Sequence, residues 1–511
     1  MAGHALGAST AAPEGGLRYA TGHGRWVIAA TVLGSAMAMI DSTVVGIALP
    51  TIGRQFHTGV ADLQWVTNGY TLALAGLLLL GGSLGDRYGR RRLFVVGTVW
   101  FALASLLCGV APTAATLIAA RILQGVGGAL LTPGSLAILQ ASFDEEDRSR
   151  AIGAWSGLGG VAMAIGPFLG GWLVDAGSWR LIFLINLPVA VAVVAVTVRH
   201  VPESRDATVS GPLDLRGATL VSVGLAGIVY GLIEGPGLGW ASAGTLTSLV
   251  GGAALLAVFT AVEARTANPM LPLGIFRSRQ FTGANAVTFV VYGGMGGALF
   301  LLPIELQQVA HYSPLGSGVA LLPITFITFA LSARSGALAA RIGPRLQMSV
   351  GPLLVGAGLA LLVRVGAGGT YVGTVLPAVC LLGLGLAVVV APLTATVLAA
   401  APGEHMGIAS AVNNDVARTA SLIAVAVLPA IAGITGDSYL HPAQFSSGFH
   451  TAVLAAAACC AAGSVLAVVT IRNPERRPAR AEQVRWHCAL DAPPLCDPAP
   501  ATPEPLGASP G

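Results

Sequence analysis

Lysine is missing altogether: all 27 basic residues of this 511-residue chain are arginine. A phosphate loop of the form G-x-x-x-x-G-K-[ST] uses its lysine to reach the phosphates, so ATP-driven work through such a loop is excluded. Charge of either sign is scarce, at 10% of residues, whereas a soluble globular protein carries about a quarter. There are six cysteines, with no C-x-x-C pair and no metal-ligand spacing to histidine. Cys108, Cys380, Cys459 and Cys460 fall in apolar runs and Cys488 and Cys496 in the C-terminal tail, so they read as small buried side chains and two tail thiols. No metal and no cofactor is expected. Glu404-His405 does not open an H-E-x-x-H zinc helix and no G-x-S-x-G nucleophile elbow occurs, so no catalytic set is visible and the chain does not read as an enzyme. Aromatics make up 6%, and the ten-residue alternating segments of a membrane β-barrel are not seen. A net charge of +4 offers no support for a nucleic-acid partner.

What the chain does have is apolar length. Hydrophobic residues make up 54%, the mean hydropathy is +0.76, and 68 glycines are spread through the apolar runs. A helix needs about 20 apolar residues to cross a bilayer, and small residues let such helices pack closely in lipid. Fourteen segments qualify, over residues 26–48, 63–84, 92–111, 114–139, 150–174, 180–198, 215–234, 243–264, 282–302, 317–340, 347–366, 372–400, 409–433 and 449–471. The fold class is therefore an all-α membrane protein. Residues 1–24 are too long and irregular for a signal n-region, and the first apolar run reads as a membrane helix rather than a signal peptide. Residues 473–511 hold nine prolines and read as a disordered tail.

The arginines set the orientation. With both tails and the loops that follow even-numbered segments on one side, that side holds 21 arginines and the other holds three, Arg54, Arg180 and Arg364. Arg121, Arg334 and Arg418 lie inside apolar segments. The positive-inside rule then places both termini in the cytoplasm, in a multi-pass protein of the cytoplasmic membrane.

An internal repeat agrees. Gly82, Leu84, Arg87, Gly89 and Arg91, after the second segment, match Gly336, Leu338, Arg341, Gly343 and Arg345, after the tenth, at one offset of 254 residues. Repeats of this kind build transporters from two similar halves. Eight segments rather than six separate the copies, so the seventh and eighth are an insert. The expected organisation is a tail at 1–24, a six-helix half at 25–198, a linker at 199–214, two inserted helices at 215–264, a second half at 282–472 and the tail beyond.

Several motifs carry a family resemblance. Gly82-x-Leu84-Gly85-Asp86-Arg87-x-Gly89-Arg90-Arg91 resembles the loop signature of the major facilitator superfamily. Gly166-Pro167-Phe168-Leu169-Gly170-Gly171 resembles its antiporter motif, and Arg121-Ile122-Leu123-Gln124-Gly125 its buried-arginine motif. Asp41-Ser42-Thr43-Val44-Val45 through Ala48-Leu49-Pro50, Trp179-Arg180 with Asn186-x-Pro188, and Glu305-Leu306-Gln307 with Tyr312-Ser313-Pro314 are similar to the fourteen-helix drug:proton antiporters of the EmrB/QacA type. The resemblance covers roughly residues 25–472. One position departs: Gly46 stands where that branch commonly has asparagine, which alters the cavity and weakens any transfer of substrate from the family.

Each motif also has a physical reading. Asp41 sits in mid-helix, where a charge costs several kcal/mol unless it faces a bundle interior or cavity. Desolvation favours a neutral carboxyl, so Asp41 is a candidate proton carrier as well as a candidate structural hydrogen-bonding group. Arg121 cannot shed its charge and needs a partner. It could tune Asp41, hold a charged substrate or act as a structural hub; the resemblance implies proton transfer. Gly166, Pro167, Gly170 and Gly171 combine a lost backbone donor with missing side chains, a bent and closely packed seam. The resemblance makes this motif a mark of export. Asp86, Arg87, Arg90 and Arg91, with Gly82 and Gly89, are either cytoplasmic anchors or, by resemblance, a charge lock between helix ends; Ala340 replaces Asp86 in the second copy. Asp415 and Arg418 are one turn apart and could pair (i, i+3), as a second proton or cation site or a structural pair. Glu234 and Glu263, near helix ends, read as solvated. Glu305 lies near the outer end of its helix.

The resemblance implies a major facilitator fold with a mid-membrane cavity open alternately to each side, exporting a small organic molecule, drug or antibiotic in exchange for protons. Acids in an apolar cavity would suit cations, although neutral substrates fit too. The partners are substrate, protons and the bilayer, without ATP. A proton-coupled importer of a metabolite, a narrow exporter of an endogenous metabolite, a non-transporting sensor and an intramembrane enzyme are the competing readings. The antiporter motif speaks against the importer.

Overall fold

The chain was analysed as a computed structural model, which describes residues 17–206, 213–266, 269–401 and 406–473. The N-terminal tail up to residue 16, Glu404-His405 and the proline-rich tail with Cys488 and Cys496 lie outside the described residues.

Fourteen helices among the described residues are long and apolar enough to cross a membrane. They are α1 Gly22–Phe56, α2 Val60–Tyr88, α3 Arg90–Val110, α4 Ala114–Ser142, α5 Glu145–Ala176, α6 Leu181–His200, α7 Leu215–Leu238, α8 Ala243–Glu263, α9 Arg279–Gln308, α10 Pro314–Ile342, α11 Pro344–Arg364, α12 Tyr371–Ala399, α13 Gly407–Ile431 and α14 Pro442–Thr470. Many outrun their apolar segments. The first was expected over 26–48 but begins where the Thr21 side chain accepts from Gly24 N–H and ends past Pro50 at His57. Hydropathy marks only the part of a helix that meets hydrocarbon, while backbone hydrogen bonding continues into the polar interface.

Caps set the breaks. Thr113 and Thr116 form a reciprocal capping box at the start of α4, and Ser242, Ser278 and Ser313 cap α8, α9 and α10. The α2–α3 and α10–α11 junctions are single residues, Gly89 at φ +115° and Gly343 at φ +87°. Side chains rarely tolerate such angles, which explains glycine at this place in both copies of the repeat.

Helices α1–α6 form one bundle, with α4 between α2 and α3 and α1 against α5 and α6. Helices α9–α14 form the second, with α12 between α10 and α11 and α9 against α13 and α14. The pair α7–α8 stands apart, and α7 touches α2 of the first bundle and α13 of the second. Val229 and Ile233 of α7 bury against Leu422 and Ala426 of α13.

Two carboxylates of this pair correct the sequence reading. Glu234 is half-buried and accepts from Trp65 Nε1 of α2 at 2.8 Å. Glu263 is 2% exposed and accepts from Leu271 N–H at 2.7 Å. Beside it, Asp214 Oδ1 accepts from Gly217 N–H at 2.8 Å, and the neighbouring Glu263 carboxyl holds the Asp214 carboxyl below the usual carboxylate range. A position near a helix end does not reveal that a loop folds back over it.

Arg180, after α5, shows how the bundle ties its helix ends. Its Nη1 donates to the Gly109 carbonyl at 3.2 Å and the Ala111 carbonyl at 2.7 Å, covering orphan acceptors at the end of α3. Arg180→Ala is expected to lower the Tm of the detergent-solubilised protein, since charge-assisted hydrogen bonds contribute about 1.5–3 kcal/mol each. A Tm unchanged by the substitution would contradict this role.

Candidate functional site

Asp41, midway along α1, is 2% exposed, and Arg121, in the first half of α4, is 1% exposed. They meet across the bundle: Arg121 Nη1 donates to Asp41 Oδ2 at 2.5 Å. Gln124 Nε2 and Asn186 Nδ2 donate to Asp41 Oδ1 at 2.7 and 3.1 Å. The same two amides also donate to Ser105 Oγ on α3, at 2.8 and 3.2 Å. Arg121 Nε donates to the Val66 carbonyl of α2 at 3.1 Å, and the guanidinium lies over the Tyr70 ring at 4.4 Å. Five helices therefore meet around one carboxylate.

An ion pair this deep is held by geometry as well as charge. Removing one partner from a buried pair costs about 3–5 kcal/mol because the other stays uncompensated. The chemistry follows from the contacts. Oδ2 faces the cation and Oδ1 faces the two amides, so every contact to this carboxylate comes from a hydrogen-bond donor. Gln124, Asn186 and Ser105 were not singled out as site residues. Gln124 is one turn beyond Arg121 and Asn186 lies in the Asn186-x-Pro188 motif, so both carried a signal; Ser105 carried none.

Asp41 does not line the cavity. The neighbouring residues do: Ser42, Thr43, Gly46 and Ile47 form one wall of a space of about 380 Å³ between the bundles. Thr67, Asn68 and Thr71 of α2 and Thr325 and Thr328 of α10 add polar groups. Met295, Leu299, Phe300, Leu422 and Val425 supply apolar surface. None of the lining residues is charged, so the acids expected in an apolar cavity are not on its walls. Drug-sized ligands occupy sites of about 300–1,000 Å³.

One end of the cavity is sealed by bonds between the bundles. Val60 N–H donates to the Gly436 carbonyl at 2.7 Å and Tyr439 Oη to the Thr58 carbonyl at 2.8 Å. Gln64 Nε2 donates to the Val425 carbonyl at 2.6 Å, and Gln307 Nε2 to the Ile47 carbonyl at 2.9 Å. At the edge, Leu315 N–H donates to Asp175 Oδ2 at 3.0 Å.

The Gly166–Gly171 stretch lies in this seal. Gly166 and Gly170 face Thr43 and Val44 of α1. A side chain on Gly171 would strike the backbone at Pro314 and Leu315 of α10, and one on Gly318 would strike the backbone at Pro167 and Phe168 of α5. Pro167 itself lines the cavity.

The loop of Gly82 to Arg91 sits at the opposite end. Asp86 pairs with Arg90 at 2.7 Å, while Arg91 and Arg92 lie 3.7 and 3.6 Å from Glu203 in the same half. Asp206 N–H donates to the Asp86 carbonyl at 3.0 Å. The second copy behaves alike, with Arg345 N–H donating to Asn473 Oδ1 at 3.1 Å within its own half.

No contact ion pair joins Asp415 and Arg418 among the described residues. The Arg418 charge lies within electrostatic range both of Asp415 on its own helix and of Tyr70 on α2, and Asp415 Oδ1 is buried without a hydrogen-bond partner. Glu305 is fully buried and accepts from Ser446 Oγ of α14 at 2.8 Å.

Fourteen apolar helices, with a neutral cavity among seven of them that is sealed at one end and backed by a buried ion pair, mark a polytopic membrane transporter. Residues 31–426 match the family model of the Major Facilitator Superfamily. The chain is 36% identical over 434 residues to the tetracenomycin C resistance and export protein of Streptomyces glaucescens, covering 84% of this chain and 79% of that one. It is 35% identical over 455 residues to the methylenomycin A resistance protein of Streptomyces coelicolor, covering 88% and 93%. It is 36% identical over 414 residues to the multidrug resistance protein Stp of Mycobacterium tuberculosis, covering 81% and 76%. Among solved structures, a peptide transporter POT in complex with sulfate matches with a TM-score of 0.64 over 90% of this chain and 98% of that one, at 13% identity. This chain belongs to the major facilitator superfamily.

Proposed function

We propose that the chain is a proton-coupled antiporter that exports small organic molecules across the cytoplasmic membrane, with both termini in the cytoplasm and the sealed end outward. The observation that carries this reading is the Asp41–Arg121 pair, a buried carboxylate balanced by a single cationic partner among the described residues. Relatives named for antibiotic resistance and export support the direction of transport. The arginine bias supports the orientation.

Alternating access completes the cycle. Substrate enters the cavity while the outer end is sealed. Opening of that end, by parting of the α5–α10 seam and the Gln64 and Gln307 bonds, brings outside protons to Asp41. Protonation releases Arg121 and favours the return after the substrate leaves. Each proton brings about 2.3 kcal/mol per 100 mV of membrane potential and about 1.4 kcal/mol per pH unit. In this cycle the Asp86–Arg90 loop acts as a lock at the cytoplasmic end, re-formed between helix ends when that end closes.

Expression in efflux-deficient bacterial cells tests the reading. Accumulation of a transported drug is expected to fall several-fold, and a protonophore to restore it. Higher accumulation on expression, collapsed by the protonophore, would show an importer instead.

A further inference from the structure

The cavity and the proton site are separate, and that separation bears on what is exported. This inference rests on the antiport reading above. Asp41 points away from the cavity into the Arg121, Gln124 and Asn186 network, while Ser42 and Thr43 on the next residues face the substrate space. No other carboxylate replaces it there, since every lining residue is neutral. On α9 the charged residue closest in sequence to the lining is Glu305, two residues beyond Pro303, and it is fully buried and accepts from Ser446 of α14. On α13 and α10 they are Arg418, one turn before Ser421, and Arg334, beyond Thr328, both cations. Asp415, a further turn along α13, is half-buried and accepts no hydrogen bond on Oδ1.

A lipophilic cation moved into this space would lose its hydration and meet no counter-charge, which is costly. An uncharged molecule meets apolar walls and a set of hydroxyl and amide groups instead: Ser42, Thr67, Asn68, Thr71, Thr325 and Ser421. Thr67 Oγ1 is buried and has no hydrogen-bond partner in the protein. Gly46 adds room, because a Cβ built there meets nothing within 4 Å.

We infer that the exported molecule is uncharged, lipophilic and oxygen-bearing, and that it is exchanged for a proton bound elsewhere, so each cycle moves net charge. Substrate and proton then do not compete for one carboxylate; they communicate through α1, on which Asp41 and Ser42 are consecutive. Exchange of a proton for a neutral molecule responds to membrane potential as well as to pH, whereas exchange of one proton for one monovalent cation responds to pH alone.

The test uses the full chain in liposomes loaded with a pH-sensitive dye, with protein-free liposomes subtracted. The probes are 1,8-dihydroxyanthraquinone, which is neutral, and tetraphenylphosphonium, a cation. The anthraquinone is expected to elicit proton flux that rises several-fold under a lumen-positive potassium–valinomycin potential at zero pH gradient. Tetraphenylphosphonium is expected to elicit none. Gly46→Asp, or Thr325→Asp if the first fails to fold, places a carboxylate on the wall and is expected to make tetraphenylphosphonium elicit flux. Tetraphenylphosphonium-driven flux by the unmodified chain, or anthraquinone flux indifferent to potential, would overturn the inference while leaving export intact. No proton flux with either probe, joined to unchanged drug accumulation in cells, would instead remove the antiport reading beneath it.

Discussion

Asp41→Asn is expected to bring drug accumulation back to the level of cells without the transporter, while the protein still reaches the membrane. Asparagine keeps the shape and can still accept from Gln124 or Asn186, but it can neither carry a proton nor balance Arg121. The loss is therefore one of coupling as well as of charge balance. Stability separates the two. Either single change, Asp41→Asn or Arg121→Gln, leaves a buried charge or an unsatisfied network, with a cost of about 3–5 kcal/mol where the remaining charge is uncompensated. The double variant Asp41→Asn with Arg121→Gln removes both charges, so its Tm is expected to recover toward that of the unmodified protein while transport stays absent. Recovery of transport in the double variant would show that the pair is structural, and that protons move elsewhere.

Gly318→Leu is expected to abolish export by a different route. The space that a side chain would need at residue 318 is taken by the backbone of Pro167 and Phe168, so α5 and α10 must part at the sealed end. Overpacking costs about 1–3 kcal/mol, and each 1.4 kcal/mol shifts a two-state ratio about tenfold. The outer seal is then disfavoured by up to about two orders of magnitude. In a cysteine-free background, Ser42→Cys on the cavity wall should react with a membrane-impermeant maleimide from outside faster when Gly318→Leu is present. Gly171→Leu, which meets the α10 backbone from the other side, should act alike. Labelling slowed or unaffected by both substitutions would mean that this seam is not what closes the outer end.

Much of the architecture was legible because a bilayer leaves few options. Backbone groups in hydrocarbon must bond within helices, so long uncharged runs announce spans. The repeat at Gly89 and Gly343 was legible because a one-residue junction at positive φ admits little but glycine. Asp41 and Arg121 were legible one at a time, as charges in apolar runs. Their meeting was not: 80 residues separate them, and no local pattern encodes which face of α4 turns toward α1.

The remaining differences share that cause. Glu263 and Glu234 were read as solvated from their places near helix ends, yet Leu271 N–H and Trp65 Nε1 reach them from other segments. Asp415 and Arg418 have the spacing of a pair and feel each other's charge, but their side chains make no contact ion pair among the described residues, and Arg418 also acts on Tyr70 of the other bundle. The neutrality of the cavity was equally hidden, since it depends on Asp41 turning inward while Ser42 and Thr43 turn toward the space between the bundles.

Proton release from the purified protein tests the central claim most directly. In weakly buffered detergent solution, binding of a transported substrate is expected to release protons in proportion to protein, and Asp41→Asn is expected to bind the substrate and release none. Equal release from the two proteins would contradict the assignment of the exchanged proton to Asp41.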